Sequence, residues 1–423
     1  FILSTVIVKL FLAVLRFMLN VALARYLGPE LRGLYYVLQN VVGFIASFST
    51  ASIGEAYIYY HGKEKLSLIS IKILNILVII AGTFTATLCL SLMFHANINE
   101  KLDAAVYFWP SLILCVFLVY EYLVLQELKA RLKIYRANIY YSFSKLFLLV
   151  MVLQNGDALE PVDVVIYNIY AVIFLLVSLF LHASYFGEFR QWEGLSAVRN
   201  DFTRWRDYAS FSIKAHFGTI LNLAEYRVDA IIAAYIVDIR LLGIYSVVLS
   251  IGQINYYIIN SVNTVLFPSI VRGNVDISGF LQVLRLSLLP VLVVTSFLVL
   301  IIDSVDHLIF GVEYEEVGKY FIWMAPVIIL ESFNRLLATL LKSSNALGVF
   351  NRIAIISILV YLPMLGILGN YFGLYGLIVA SFISYLIRAI MYSRWMKSIH
   401  PEYVKLRYFI PSVRELITVV KMR

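Results

Sequence analysis

Charged side chains inside long apolar runs are the residues of this chain with chemistry to account for. An Arg, Lys or Asp at the centre of a membrane-spanning helix costs about 2.5–3.5 kcal/mol on insertion scales, so it is expected to face a water-filled cavity or a partner. Arg16 lies in one such run with Asn20 one turn later, and Glu121 lies in another. Asn222, Glu225, Arg227 and Asp229 crowd a third, and Glu331 and Arg335 share a fourth. Arginine offers a planar, multi-donor fork to phosphate or carboxylate oxygens. A buried carboxylate neutralises such an Arg or binds a proton or sodium ion. At 100° per residue Glu225 and Asp229 share a helix face with Asn222, whereas Arg227 points elsewhere. His216, eleven residues before Arg227, returns to nearly the same face as Arg227. Glu331 precedes Arg335 by four residues, the favourable order for an intrahelical pair. For Lys145 and Arg388 anchoring at the inner leaflet and cavity lining are both open.

The elements that carry these residues follow from composition. The 423 residues are 61% apolar and 14% charged, with mean hydropathy +0.86. A soluble multidomain enzyme of this length would expose far more charge. Unbroken apolar runs, in place of alternation, exclude an outer-membrane barrel. Cys89 and Cys115 both sit inside apolar runs, so neither a disulfide framework nor a metal cluster is expected. No cleavable signal peptide is expected either, since the first apolar run carries Lys9 and Arg16 and lacks a small-residue cleavage site.

Apolar runs predict an all-α integral membrane protein of about twelve spans, at 5–24, 33–58, 73–94, 104–126, 139–153, 163–185, 211–237, 243–270, 280–302, 318–341, 353–369 and 373–393. Alternate loops together with the tail hold 21 Lys and Arg, and the opposite loops hold five: Arg25, Arg32, Lys101, Arg240 and Lys319. That bias places both termini in the cytoplasm. The expected organisation is a six-helix lobe over 1–185, an interfacial or solvated linker over 186–210, a second six-helix lobe over 211–393 and a basic amphipathic tail over 394–423.

The halves repeat. Gly33-Leu-Tyr35-Tyr-Val37 and Gly243-Ile-Tyr245-Ser-Val247 are 210 residues apart, and the same offset carries Glu121 onto Glu331 and brings Arg16 within one residue of Arg227. Two parallel six-helix bundles around a central cavity are therefore expected, the architecture of transporters that rock two lobes around one site. Arg16 and Arg227 would flank that cavity at similar depths, or each would be neutralised inside its own lobe by Glu225, Asp229 or Glu331.

Between the first two spans, Gly28 permits a positive φ and Pro29 prevents the first helix from continuing. Arg25 and Arg32 flank this turn as interfacial anchors or as substrate contacts. The segment Ala24-Arg-Tyr-Leu-Gly-Pro-Glu30, followed by Leu-Arg-Gly33-Leu-Tyr35, resembles the corresponding segment of Wzx-type polysaccharide flippases, members of the multidrug/oligosaccharidyl-lipid/polysaccharide exporter superfamily. That resemblance implies translocation of an undecaprenyl-diphosphate-linked oligosaccharide, an O-antigen, capsule or exopolysaccharide precursor, from the inner to the outer leaflet of the bacterial cytoplasmic membrane. Arg16, Arg227, Asn20 and Arg25 are then the candidate substrate-binding residues. Glu225, Asp229, Glu331, Arg335 and Glu121 are the candidates for ion coupling or charge compensation.

No Gly-x-Ser-x-Gly, His-Glu helix motif or Walker Gly-Lys-Ser/Thr is present, which argues against a hydrolase and against ATP as the energy source. No cofactor is expected, with proton or sodium coupling as the alternative to drive by the membrane potential. Expected partners are the lipid-linked glycan, membrane lipids and polysaccharide assembly proteins, with no nucleic acid and a monomeric chain. Two other functions compete. A membrane-embedded glycan polymerase or ligase would carry a large, basic outer loop, whereas 303–317 is short and acidic. A multidrug or other lipid exporter would favour an apolar cavity with carboxylates. Tyr35, Tyr36, Tyr256 and Tyr257 either stack on sugar rings or serve helix packing and the interfacial belts.

Overall fold

The computed structural model describes residues 2–50, 68–95, 103–130, 134–185, 229–271, 273–344 and 346–399, with His216, Ile220, Leu221 and Arg227. The expected linker over 186–210, the tail beyond 399, Asn222 and Glu225 lie outside the described residues.

Every regular element among the described residues is helical, as required of a chain whose backbone groups must bond within their own segment in hydrocarbon. The α-helices are α1 (Ile2–Ser49), α2 (Leu68–His95), α3 (Ala104–Ala130), α4 (Ile134–Gln154), α5 (Pro161–Tyr185), α6 (Ile239–Val271), α7 (Ile277–Phe310), α8 (Val317–Ser343) and α9 (Leu347–Ile399). Eight helices among the described residues are long and apolar enough to cross a membrane. Short acidic caps set several starts. Asp103 accepts from the Ala105 amide, Asp238 from Arg240 and Asp276 from Gly279, each at 2.8 Å. The Gly279 amide, followed by the Ser278 hydroxyl, holds the exposed Asp276 carboxyl below its ordinary range.

Two of the helices are double. At 53 residues α9 would reach about 80 Å if straight, far beyond a hydrocarbon core of ~30 Å. It breaks at Gly373 (φ 56°) and folds back. Ser357 and Ser384, 27 residues apart, hydrogen-bond at 2.7 Å, and Tyr361 meets Ser381 at 3.4 Å, which is an antiparallel register. The 48-residue α1 breaks at Gly28 (φ 66°, ψ 172°), immediately before Pro29. Arg32 then reaches back across the bend to Asn20 at 2.7 Å. Both breaks fall where the sequence predicts a turn between paired spans, and the described architecture is all-α as expected.

The chain forms two compact units, Phe1–Gly243 and Ile244–Arg423. In the first, α1 packs on α2, α3, α4 and α5, and α3 also packs on α2 and α5. Within this unit α1 crosses the start of α6 at Gly33 and Gly243. A Cβ on Gly33 would collide with the Ile239 carbonyl oxygen, and one on Gly243 with the Pro29 carbonyl oxygen. Pro29 and Ile239 are themselves 210 residues apart, so the crossing is reciprocal under the sequence repeat. Small residues that let backbones touch are the usual device for helix association in lipid. In the second unit α8 packs on α7 and α9, with Phe280, Leu284, Leu337, Leu340 and Tyr392 among its buried core. Large apolar side chains turn outward, Leu300 at 78% and Phe84 at 72% exposure, the reverse of a soluble protein.

Candidate functional site

Inside the first unit a polar cluster is assembled from α1, α3, α4 and α5. One turn of α1 supplies Arg16 and Asn20, whose amide donates to the Arg16 carbonyl at 3.0 Å. Arg16 donates to the Tyr141 hydroxyl of α4 at 2.9 Å, and its guanidinium carbon stands 5.4 Å from the centre of that ring. Lys145, one turn further along α4, stands 5.2 Å from the same ring centre. Tyr141 therefore presents its π-electrons to two cations and its oxygen to one of them. Beyond the bend in α1, Arg32 is 3% exposed, donates to Asn20 and sits 5.6 Å from the Tyr35 ring centre. Asn168 of α5 completes the layer by donating to the Tyr35 hydroxyl at 3.2 Å.

Glu121 of α3 is the carboxylate of this cluster. It is 5% exposed, Arg16 and Lys145 are the cations that act on it, and its Oε1 meets no hydrogen-bond donor among the described residues. Two half-buried cations, Arg16 and Lys145, thus act on one acid, and the buried Arg32 joins the cluster through Asn20. An arrangement with this excess of donors suits an oxyanion.

Arg227 has different described partners. Its guanidinium lies against Gly43, where any side chain would displace it, and donates to the Gln39 carbonyl at 3.4 Å. Tyr36 and Asp229 act on it electrostatically. Asp229 is 9% exposed and accepts from the Ala230 amide at 2.6 Å. The ring of His216 stands 5.5 Å from that of Phe48. Arg25 is exposed.

In the second unit Glu331 and Arg335 form the pair that their spacing predicts. Arg335 donates through Nε at 2.9 Å and through a terminal nitrogen at 2.6 Å to Glu331 Oε1. The Tyr256 hydroxyl donates to Oε2, and the Arg335 guanidinium carbon stands 4.4 Å from the Tyr256 ring centre. Both oxygens of this carboxylate are occupied.

Several of these residues were hidden from sequence reasoning. Arg32, which reads as an interfacial anchor or a substrate contact, is drawn inward onto Asn20. Tyr141 and Lys145 share an i, i+4 face, and that spacing was available as a signal. Tyr35, expected in packing or at a sugar, is buried against Arg32 and Asn168. Tyr256, expected in packing or at a sugar, serves Glu331.

The family described as polysaccharide biosynthesis protein matches residues 2–274. No curated protein matches the chain in sequence. A solved structure of the lipid II flippase MurJ in an inward closed conformation superposes with a TM-score of 0.76 at 15% identity, over 99% of this chain and 92% of that one. An inward-facing multidrug resistance MATE family transporter of the MOP superfamily gives 0.70 at 12% identity, over 94% and 99%. The MATE multidrug transporter DinF-BH gives 0.64 at 12%, over 94% of each chain. The fold is thus the one that these flippase and transporter structures share. With the family match spanning well over half of its length, the chain belongs to the polysaccharide biosynthesis protein family.

Proposed function

We propose that this protein is a flippase that carries an undecaprenyl-diphosphate-linked oligosaccharide from the inner to the outer leaflet of the bacterial cytoplasmic membrane. The observation that carries the reading is the cation-rich cluster inside the first unit of a polysaccharide-family chain. A diphosphate headgroup brings negative charge that Arg16, with Asn20 and Arg32 behind it, and Arg227 would hold, with Arg25 at the entrance, while the polyprenyl tail stays in lipid. Transport proceeds by alternating exposure of the site to the two sides. Both termini are cytoplasmic, the working unit is a monomer, and polysaccharide assembly proteins take up the delivered unit. Of the candidate coupling groups, Glu331 is paired with Arg335, while Glu121 keeps one carboxylate oxygen without a donor among the described residues and is the carboxylate best placed to take a proton or sodium ion.

The multidrug-exporter reading draws support from the MATE-like fold, but a cluster with more cations than acids suits an anionic cargo better than a cationic drug. The test is a deletion strain complemented with Arg16→Glu and with Arg227→Glu at normal expression. Surface polymer is expected to disappear and single lipid-linked repeat units to accumulate at the inner leaflet. Undiminished polymer with both variants overturns the proposal.

A further inference from the structure

We propose that Glu121 is a built-in stand-in for the anion of the cargo. It neutralises Arg16 and Lys145 while the site is empty, yields them when the anion arrives, and takes up one proton as it does so. The inference rests on the cationic-site reading above and deepens it.

Glu121 is almost fully buried and has one carboxylate oxygen without a donor among the described residues. Burial works against its charge, and Arg16 and Lys145 work for it. The charged and titratable groups that act on it are Arg16 from α1, and Lys145 and Tyr141 from α4. Helices α2 and α5 also pack on α3, and none of their described residues adds a charge to that set. Glu127, on its own helix, lies nearly two turns away.

An incoming oxyanion competes for the same two cations. Once they turn to the cargo, an ionised Glu121 would remain in a low-dielectric interior without compensation, which a carboxylate escapes by protonation. The proton comes from the aqueous side through which the cargo enters and adds to a carboxylate oxygen. No other bond changes. Release of the cargo on the far side returns the cations to Glu121 and frees the proton there. Cargo and proton would thus move together at this site.

The test uses the full chain in lipid nanodiscs and methanedisulfonate, a dianion that does not itself titrate near neutral pH. Calorimetry at pH 7 in two buffers of different ionisation enthalpy counts protons. For the wild type, uptake approaching one proton per anion is expected, with binding that tightens as pH falls. Glu121→Gln is expected to bind about tenfold more tightly at pH 7, without uptake and with a flat pH profile. Binding by the wild type without proton uptake, or uptake that persists in Glu121→Gln, overturns this inference and leaves the cationic site standing. Failure of the wild type to bind the dianion overturns the cationic site itself. Because the wild-type proton count decides alone, the inference remains exposed even if the variant does not fold.

Discussion

Glu121 and Glu331 occupy equivalent places in the sequence repeat, 210 residues apart, yet the two units treat them in opposite ways. In the second unit Arg335 and Tyr256 occupy both oxygens of Glu331. In the first unit Glu121 has one oxygen without a donor among the described residues, and the cations that act on it are shared with Tyr141. The difference begins in sequence. Four residues after Glu331 stands Arg335, whereas four residues after Glu121 stands Leu125. An intrahelical pair is always within reach of its partner, so it serves stability. Cations brought from other helices are held less tightly and can be turned toward a ligand. One half of the repeat pairs its charges within a helix, and the other shares them between helices, which is the arrangement that the proposed function uses.

Supplying the missing partner should produce the largest effect. Leu125→Arg would give Glu121 the same i, i+4 lock that Glu331 has. Export is expected to fall to the level of the deletion strain while the thermal midpoint in detergent holds or rises. Normal surface polymer in this variant would show that an open carboxylate is not needed. Next in size is Glu331→Gln, which removes the charge facing Arg335. Breaking buried pairs costs more, but Arg335 is a quarter exposed, so a loss of about 2 kcal/mol is expected in denaturant unfolding, with export retained. Loss of export at unchanged stability would instead make Glu331 part of the transport cycle.

The smallest effect concerns the place where the repeats behave alike. Gly33→Ala and Gly243→Ala each force a methyl group against a carbonyl oxygen and should each cost about 1–2 kcal/mol. Because the two environments mirror one another, the two losses should agree to within a few tenths of a kcal/mol. Clearly unequal thermal shifts for the two variants would break the reciprocity of the crossing.

The amino-acid sequence by itself determined everything that is local along a helix. Apolar runs give membrane helices because hydrocarbon leaves the backbone no other partner. Gly28-Pro29 gives the bend because few other pairs accept a positive φ and then refuse to continue a helix. Glu331 and Arg335 give a pair because 3.6 residues per turn places them on one face. The tertiary structure alone decided which helices exchange polar groups. Arg16 finds Tyr141 across 125 residues, Arg32 turns inward onto Asn20, and Gly33 meets the backbone before Gly243. Lipid tails are as apolar as the helix faces themselves, so hydrophobicity does not say which faces meet. The choice of neighbours falls to a few small and polar residues, whose partners become visible only once the helices are packed.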